Sequence, residues 1–208
     1  MATKRNGQSG GMSGKLGSKI MYSWKGKPCE RAYAIPKDPM TPAQLAHRRL
    51  FGTVSSLGAA MRDVVKIGFR SIADERHTTE KNVFVRLNKS CVSLVDDEVR
   101  IDYASLKVAD GPLKTVDFDE PTTADGRVLR VTFSDHSHAN RYNYVIVAAY
   151  VPQEHNSMRS EPVFRSSGVV EITLPESWTG LETHLYGFCW DGASQVSPSC
   201  YVGVLNNA

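Results

Sequence analysis

The residues of this chain that are spaced for chemistry are few. Asp135-His136-Ser137-His138 sets a carboxylate and two imidazoles within four positions, donors that suit several divalent ions. The run leads into Ala139-Asn140-Arg141 and reads better as a solvated loop between strands. His47, His77, His155 and His184 are isolated in sequence. Asp96-Asp97-Glu98 lacks EF-hand spacing and reads as a solvated turn. Gly10-Gly11-Met12-Ser13-Gly14-Lys15 carries glycines and a lysine but not the spacing of a phosphate-binding loop, and no strand precedes it. No strand-to-helix GxSxG elbow occurs. No catalytic residue, metal ligand or cofactor is expected, and no small-molecule substrate.

The remaining candidate is a ribbon that interleaves cations with aromatics: Lys15, Lys19, Lys25, Lys27 and Arg31 with Tyr22, Trp24 and Tyr33. Such surfaces grip phosphates and stack on bases. The period of two puts Ile20, Tyr22 and Trp24 on one strand face and Lys19 and Lys25 on the other. That separation favours reading the aromatics as core or interface anchors, with the lysines keeping an edge ribbon soluble. Tyr22, Trp24 and Arg31, with Arg48 and Arg49, are the docking candidates. Lys15, Lys19, Lys25 and Lys27 are the possible nucleic-acid contacts. Charge is uneven: residues 1–81 hold 15 Lys and Arg against 6 Asp and Glu, and residues 82–208 hold 10 against 16. A head of +9 on a body of −6 suits nucleic acid, an acidic protein surface, or head-to-body pairing between copies of the chain.

Positioning this ribbon requires a hairpin, with Lys19–Trp24 and Cys29–Ile35 flanking the turn-like Lys25-Gly26-Lys27-Pro28. Residues 1–17 have almost nothing apolar to bury and are expected to be a flexible basic arm. After the prolines 36, 39 and 42, Thr41 and Gln44 form a capping box with Pro42 at the first helical position. Ala43, Ala46, Leu50, Val54, Leu57, Met61 and Val65 then step by three or four along one helix of roughly seven turns. Beside that stripe, Gly52, Ser55, Ser56, Gly58, Ala59 and Ala60 make a small-residue face suited to a partner helix. A second helix is expected from Thr78 or Thr79, carrying Val83, Phe84 and Leu87. Beyond residue 98 the period becomes two, with about seven short strands over roughly 100 residues, including Val99–Tyr103, Leu106 with Val108, and the apolar run Tyr142–Val151. The expected fold is mainly β, an N-terminal hairpin and helical pair (18–97) followed by an antiparallel immunoglobulin- or fibronectin-III-like sandwich (98–208).

At 208 residues, 41% apolar and 23% charged, the chain has the composition of a soluble globular protein with room for a real core. It has no apolar run long enough to span a bilayer and no secretory h-region at its start. The expectation is a cytoplasmic protein, possibly packaged into a virion, without a membrane partner. Cys29, Cys91, Cys189 and Cys200 are too scattered for a disulfide framework and are expected as free thiols.

GKLGSKIMYSWKGK with Arg31, the TPAQLAHRRLF helix start, DEVRIDYASLKVADGPL, the strand-like LRVTFSD and the ending LPESWTGLETHLYGFCWDGASQVSPSCYVG together resemble the domain-of-unknown-function family 6266. The resemblance covers essentially the whole chain and implies a Bacteroidetes or phage-like context, but no activity or catalytic residue. The expected function is a non-enzymatic assembly protein, a virion or virion-like component that forms homo-oligomers or joins other assembly proteins. Nucleic-acid binding by the basic head is the alternative. A third reading, a glycan or cell-surface ligand on the sandwich, would call on Trp178 and Trp190.

Overall fold

The computed structural model describes residues 3–4, 12–24, 27–35, 37–125, 127–136 and 142–206, and the chain divides into two compact units, 1–41 and 42–208. The first is an antiparallel sheet in chain order: β1 (Thr3–Lys4), β2 (Met12–Leu16), β3 (Lys19–Trp24) and β4 (Lys27–Ala32). The β3–β4 pair is the ribbon hairpin, and Met12–Leu16, expected within a flexible arm, pairs with β3. Lys25, His138 and most of residues 1–11 lie outside the described residues.

The second unit opens with α1 (Pro42–Ala60), α2 (Arg62–Gly68), α3 (Arg70–Glu75) and α4 (Glu80–Asn88). Val54, Leu57, Met61 and Val65 of the apolar stripe are no more than 2% exposed. The helix is not continuous, however: it breaks at Met61 and again at Phe69. At the second break the backbone of Val108 and Ala109 crosses Gly68 so closely that a Cβ there would lie 2.1 Å from the Val108 carbonyl oxygen. Asp110 N–H then donates to the Gly68 carbonyl at 3.2 Å. The loop thus takes a carbonyl that a longer helix would have used. Thr79 caps α4, its hydroxyl accepting from Asn82 N–H at 3.2 Å. Gly58 of the small-residue face turns inward to α4, where an added Cβ would meet the Phe84 ring at 2.8 Å. The part of that face at Gly58 therefore serves packing within the chain.

The strands that follow are β5 (Val92–Val95), β6 (Glu98–Ile101), β7 (Asp117–Phe118), β8 (Thr122–Asp125), β9 (Val128–Ser134), β10 (Tyr144–Val151), β11 (Asn156–Arg159), β12 (Val163–Phe164), β13 (Val169–Thr173), β14 (Glu182–Trp190) and β15 (Cys200–Asn206). All their pairings are antiparallel. A large sheet runs β11-β10-β14-β15 with β12 also on β10, a smaller one runs β13-β9-β7 with β8 on β9, and β5 and β6 form a separate hairpin. The fold is mainly β with a few helices. Leu106 and Val108 alternate like a strand but belong to an irregular segment, buried because it packs into the helical layer.

Strands β10 and β14 explain the long apolar run. Ile146, Ala148, Tyr150, Tyr186 and Phe188 face the helices. Val145, Val147, Ala149, Val151, Leu185 and Cys189 share a second core with Leu129, Val131, Phe133, Val170 and Ile172 of the smaller sheet. A strand covered on both faces loses its polar alternation. The sequence grouped the helices with the hairpin, as 18–97. In the structure the division falls at Thr41/Pro42, because the helical stripe is covered by the large sheet.

Helical glycines at two positions separate packing from propensity. No atom lies within 4 Å of a Cβ built on Gly52, so Gly52→Ala should stabilise by about 0.5–1 kcal/mol through helix propensity. Gly68→Ala should destabilise by about 1–3 kcal/mol because a backbone carbonyl cannot yield. Urea unfolding midpoints of the two variants should move in opposite directions.

Candidate docking surface

None of the described side chains in residues 13–41 is buried. This four-stranded sheet therefore has no core of its own, although a sheet needs an apolar face covered by something to be stable. Tyr22 is 40% and Trp24 63% exposed.

Register decides which side chains share a face, since residues opposite one another across an antiparallel pair project the same way. Ile20 stands opposite Arg31, Tyr22 opposite Cys29 and Trp24 opposite Lys27, while Lys15 stands opposite Ile20. Tyr33 continues this face: its N–H donates to the Ser18 carbonyl at 2.8 Å, and Lys15 Nζ lies 3.7 Å above its ring centroid, a cation–π contact. One face thus carries Lys15, Lys27 and Arg31 among Tyr22, Trp24 and Tyr33. Glu30, the one acid of residues 12–35, stands opposite Met21 on the other face, its Oε1 2.9 Å from Lys19 Nζ. The sequence correctly separated Lys19 from the aromatics. It did not foresee that pairing would bring Lys15, Lys27 and Arg31 to join them.

The other two docking candidates belong to the second unit. Arg49 Nη2 donates to the Asp97 carbonyl at 2.6 Å, and Nη1 lies 3.5 Å from Asp97 Oδ1. Asp96 and Asp97, at φ +50° and +63°, form the tight turn of the β5–β6 hairpin that two left-handed residues allow. Arg48 and Arg49 line a groove with Leu45 and Leu94 between α1 and that hairpin.

Asp135 has a structural partner that the sequence did not suggest. Arg165, with a fully buried side chain, holds it by Nε–Oδ2 at 2.9 Å and Nη2–Oδ1 at 3.0 Å, and also donates to the carbonyls of Lys114 and Thr115. The pair ties three loops together, at 114–115, 135 and 165. Among the described residues no group of three or more His, Cys, Asp or Glu is placed to hold a metal ion. All four cysteines are free thiols, and burial raises the pKa of Cys91 and Cys189.

Two histidines that looked isolated acquire partners through folding. His155 Nε2 lies 2.7 Å from Ser56 Oγ, and its Nδ1 lies 3.1 Å from the Tyr150 hydroxyl. The spacing is that of a nucleophile and its base. The third group is a tyrosine hydroxyl rather than a carboxylate, and the hydrogen bonds join α1 to the β10–β11 turn. His184, 5% exposed, stacks on Tyr103 with ring centroids 4.1 Å apart and shares a hydrogen bond with the Tyr201 hydroxyl at 2.9 Å. Its Nε2 is 3.1 Å from Glu182 Oε1 but off the line a hydrogen bond requires. Burial lowers its pKa, with Glu182 opposing. Trp178 is a core residue, while Trp190 is half-buried beside the charged cleft of Asp63, Lys66 and Arg70.

The family of unknown function DUF6266 matches residues 11–203, and the chain belongs to that family. No curated protein matches the chain. No helix among the described residues is long and apolar enough to cross a membrane.

The His184 environment sets a pH dependence. Its folded pKa lies below the ordinary 6.5, so the unfolded chain takes up its proton first as pH falls. The stability linked to this group is complete above about pH 6.5 and declines as pH drops from there toward the folded value. Urea titrations between about pH 7 and about pH 5.5 should show a steeper loss of stability in the parent than in His184→Gln. Equal slopes would remove His184 as the cause.

Proposed function

We propose that this member of DUF6266 is a non-enzymatic docking protein that joins a larger assembly, of the phage-virion kind, through its N-terminal sheet. One observation carries the reading: a four-stranded sheet with no buried side chain among its described residues displays Tyr22 and Trp24 on one face. Aromatic side chains on an uncovered face are natural interface anchors, and a partner would supply the core the sheet lacks. The facing antiparallel sheets of the second unit are read as an immunoglobulin- or fibronectin-type sandwich. On this reading Tyr22, Trp24 and Arg31 are the anchors, and the chain itself or another assembly protein is the partner. Deleting residues 1–36 should lower the mass of the assembled species in light scattering, and Trp24→Ala should weaken association by about tenfold or more. An unchanged mass after the deletion would sink the proposal.

A second reading, nucleic-acid binding, is favoured by the gathering of Lys15, Lys27 and Arg31 on the aromatic face and the exclusion of Glu30 from it. Three phosphate contacts on a single strand would give a log–log salt slope of about −2. Fluorescence anisotropy on a labelled oligothymidine should show that slope, and Arg31→Gln should reduce its magnitude by about 0.7. Absence of binding at low salt would exclude this reading.

A further inference from the structure

Between α1 and α4 the second unit carries a groove of about 560 Å³, within the range of small-molecule sites. Leu50, Phe51, Val54 and Val85 make its apolar surface, and His47, Arg86, Lys89 and Ser90 its polar margin. Val54 is 2% exposed, whereas Phe51 is 56% exposed. No carboxylate lines the groove, and the side chains of His47, Arg86 and Lys89 form no hydrogen bond or ion pair among the described residues.

The two helices run antiparallel. Gly58, late in α1, lies against Phe84 of α4, while Arg49, early in α1, reaches Asp97 beyond the end of α4. This register sets His47 toward Lys89 and Ser90 and sets Val54 toward Val85. Arg86 directly follows Val85 on α4 and lies one helical turn back from Lys89, so the two form a basic margin beside the apolar wall. From His47 to Val54 the wall runs about 10 Å, the length of an alkyl chain of about eight carbons.

We infer that this groove binds a small amphiphile with a single anionic head, of the alkyl carboxylate class. The carboxylate sits at Arg86 and Lys89, and the hydrocarbon lies along Leu50, Phe51, Val54 and Val85. Charge complementarity selects the head, because Arg86 and Lys89, without an ion-pair partner among the described residues, flank it and no carboxylate lines the groove. The apolar wall selects the tail. An acidic amphipathic helix fits less well, since a volume of about 560 Å³ suits a small molecule. The site lies entirely in the second unit and does not depend on how the N-terminal sheet docks.

The test is a titration of the full chain with sodium octanoate, followed by amide chemical shifts, beside octan-1-ol and octyltrimethylammonium. Octanoate should shift the amides of residues 47–54 and 85–90, saturate, and bind at least about tenfold more tightly than the alcohol. The Arg86→Gln/Lys89→Gln double variant should lose that preference while still binding the alcohol, and Phe51→Asp should lose both ligands. All three positions are exposed, so unchanged thermal midpoints will verify folding. Three results would overturn the inference: no shifts in these segments, equal or tighter binding of the cation, or a double variant that keeps the full preference. Binding of an acidic amphipathic peptide without binding of octanoate would also overturn it.

Discussion

The second unit depends on the double burial of β10 and β14. These neighbouring strands present apolar side chains to both faces, and neither face can be left to water. Roughly 25 cal/mol favours each square ångström of apolar surface removed from solvent, and the five helix-facing residues from Ile146 to Phe188 are fully buried. One face requires the helices and the other the smaller sheet. The order of layers follows from this requirement.

The helical segment shows what that covering demands. Its stripe has to follow the large sheet, so it bends at Met61 and Phe69 and accepts a crossing loop at Gly68. Asn88 fastens the same loop region to α4: its amide donates to the Phe84 and Lys107 carbonyls, and its oxygen accepts from Lys107 N–H at 2.7 Å. On the opposite side of the sheet, Arg165 and Asp135 join loops at a buried ion pair whose guanidinium is also bonded to carbonyls. A buried charge is tolerable only when it is satisfied in this way. Asp135, which could have been read as a metal ligand, is held by this guanidinium.

The N-terminal sheet follows the opposite logic. None of its described side chains is buried, its hydrogen-bonded ladder orders them, and its register sorts charge. Lys15, Lys27 and Arg31 collect with the aromatics on one face, while Lys19 and Glu30 go to the other. Such a face offers large, rigid contact area with positive charge beside it, which suits a docking element and equally suits a phosphate backbone. The two readings share the same residues and differ in whether the aromatics meet a protein surface or bases.

Much of the architecture was legible in the residues. The period of two in β3 and β9, the 3.6 period read from Ala43 to Val65, the helix start at Thr78 or Thr79 and the nearly continuous apolar run of β10 are local signals of local conformation. The mainly β character followed from them. The Lys19–Trp24 hairpin could also be named in advance, but not whether its aromatics would be core or exposed. Only the tertiary structure decided which faces met. It paired Lys15, Lys27 and Arg31 with the aromatics, turned Gly58 toward Phe84, interrupted the long helix, placed Leu106 and Val108 in the helical layer, and gave His155, His184 and Asp135 their partners. Each of these contacts joins residues far apart in the chain or depends on strand register. Side-chain periodicity reports only that a face will be buried or exposed. What covers that face is a property of the whole chain's packing, and the groove between α1 and α4 exists only because two separated helices lie antiparallel.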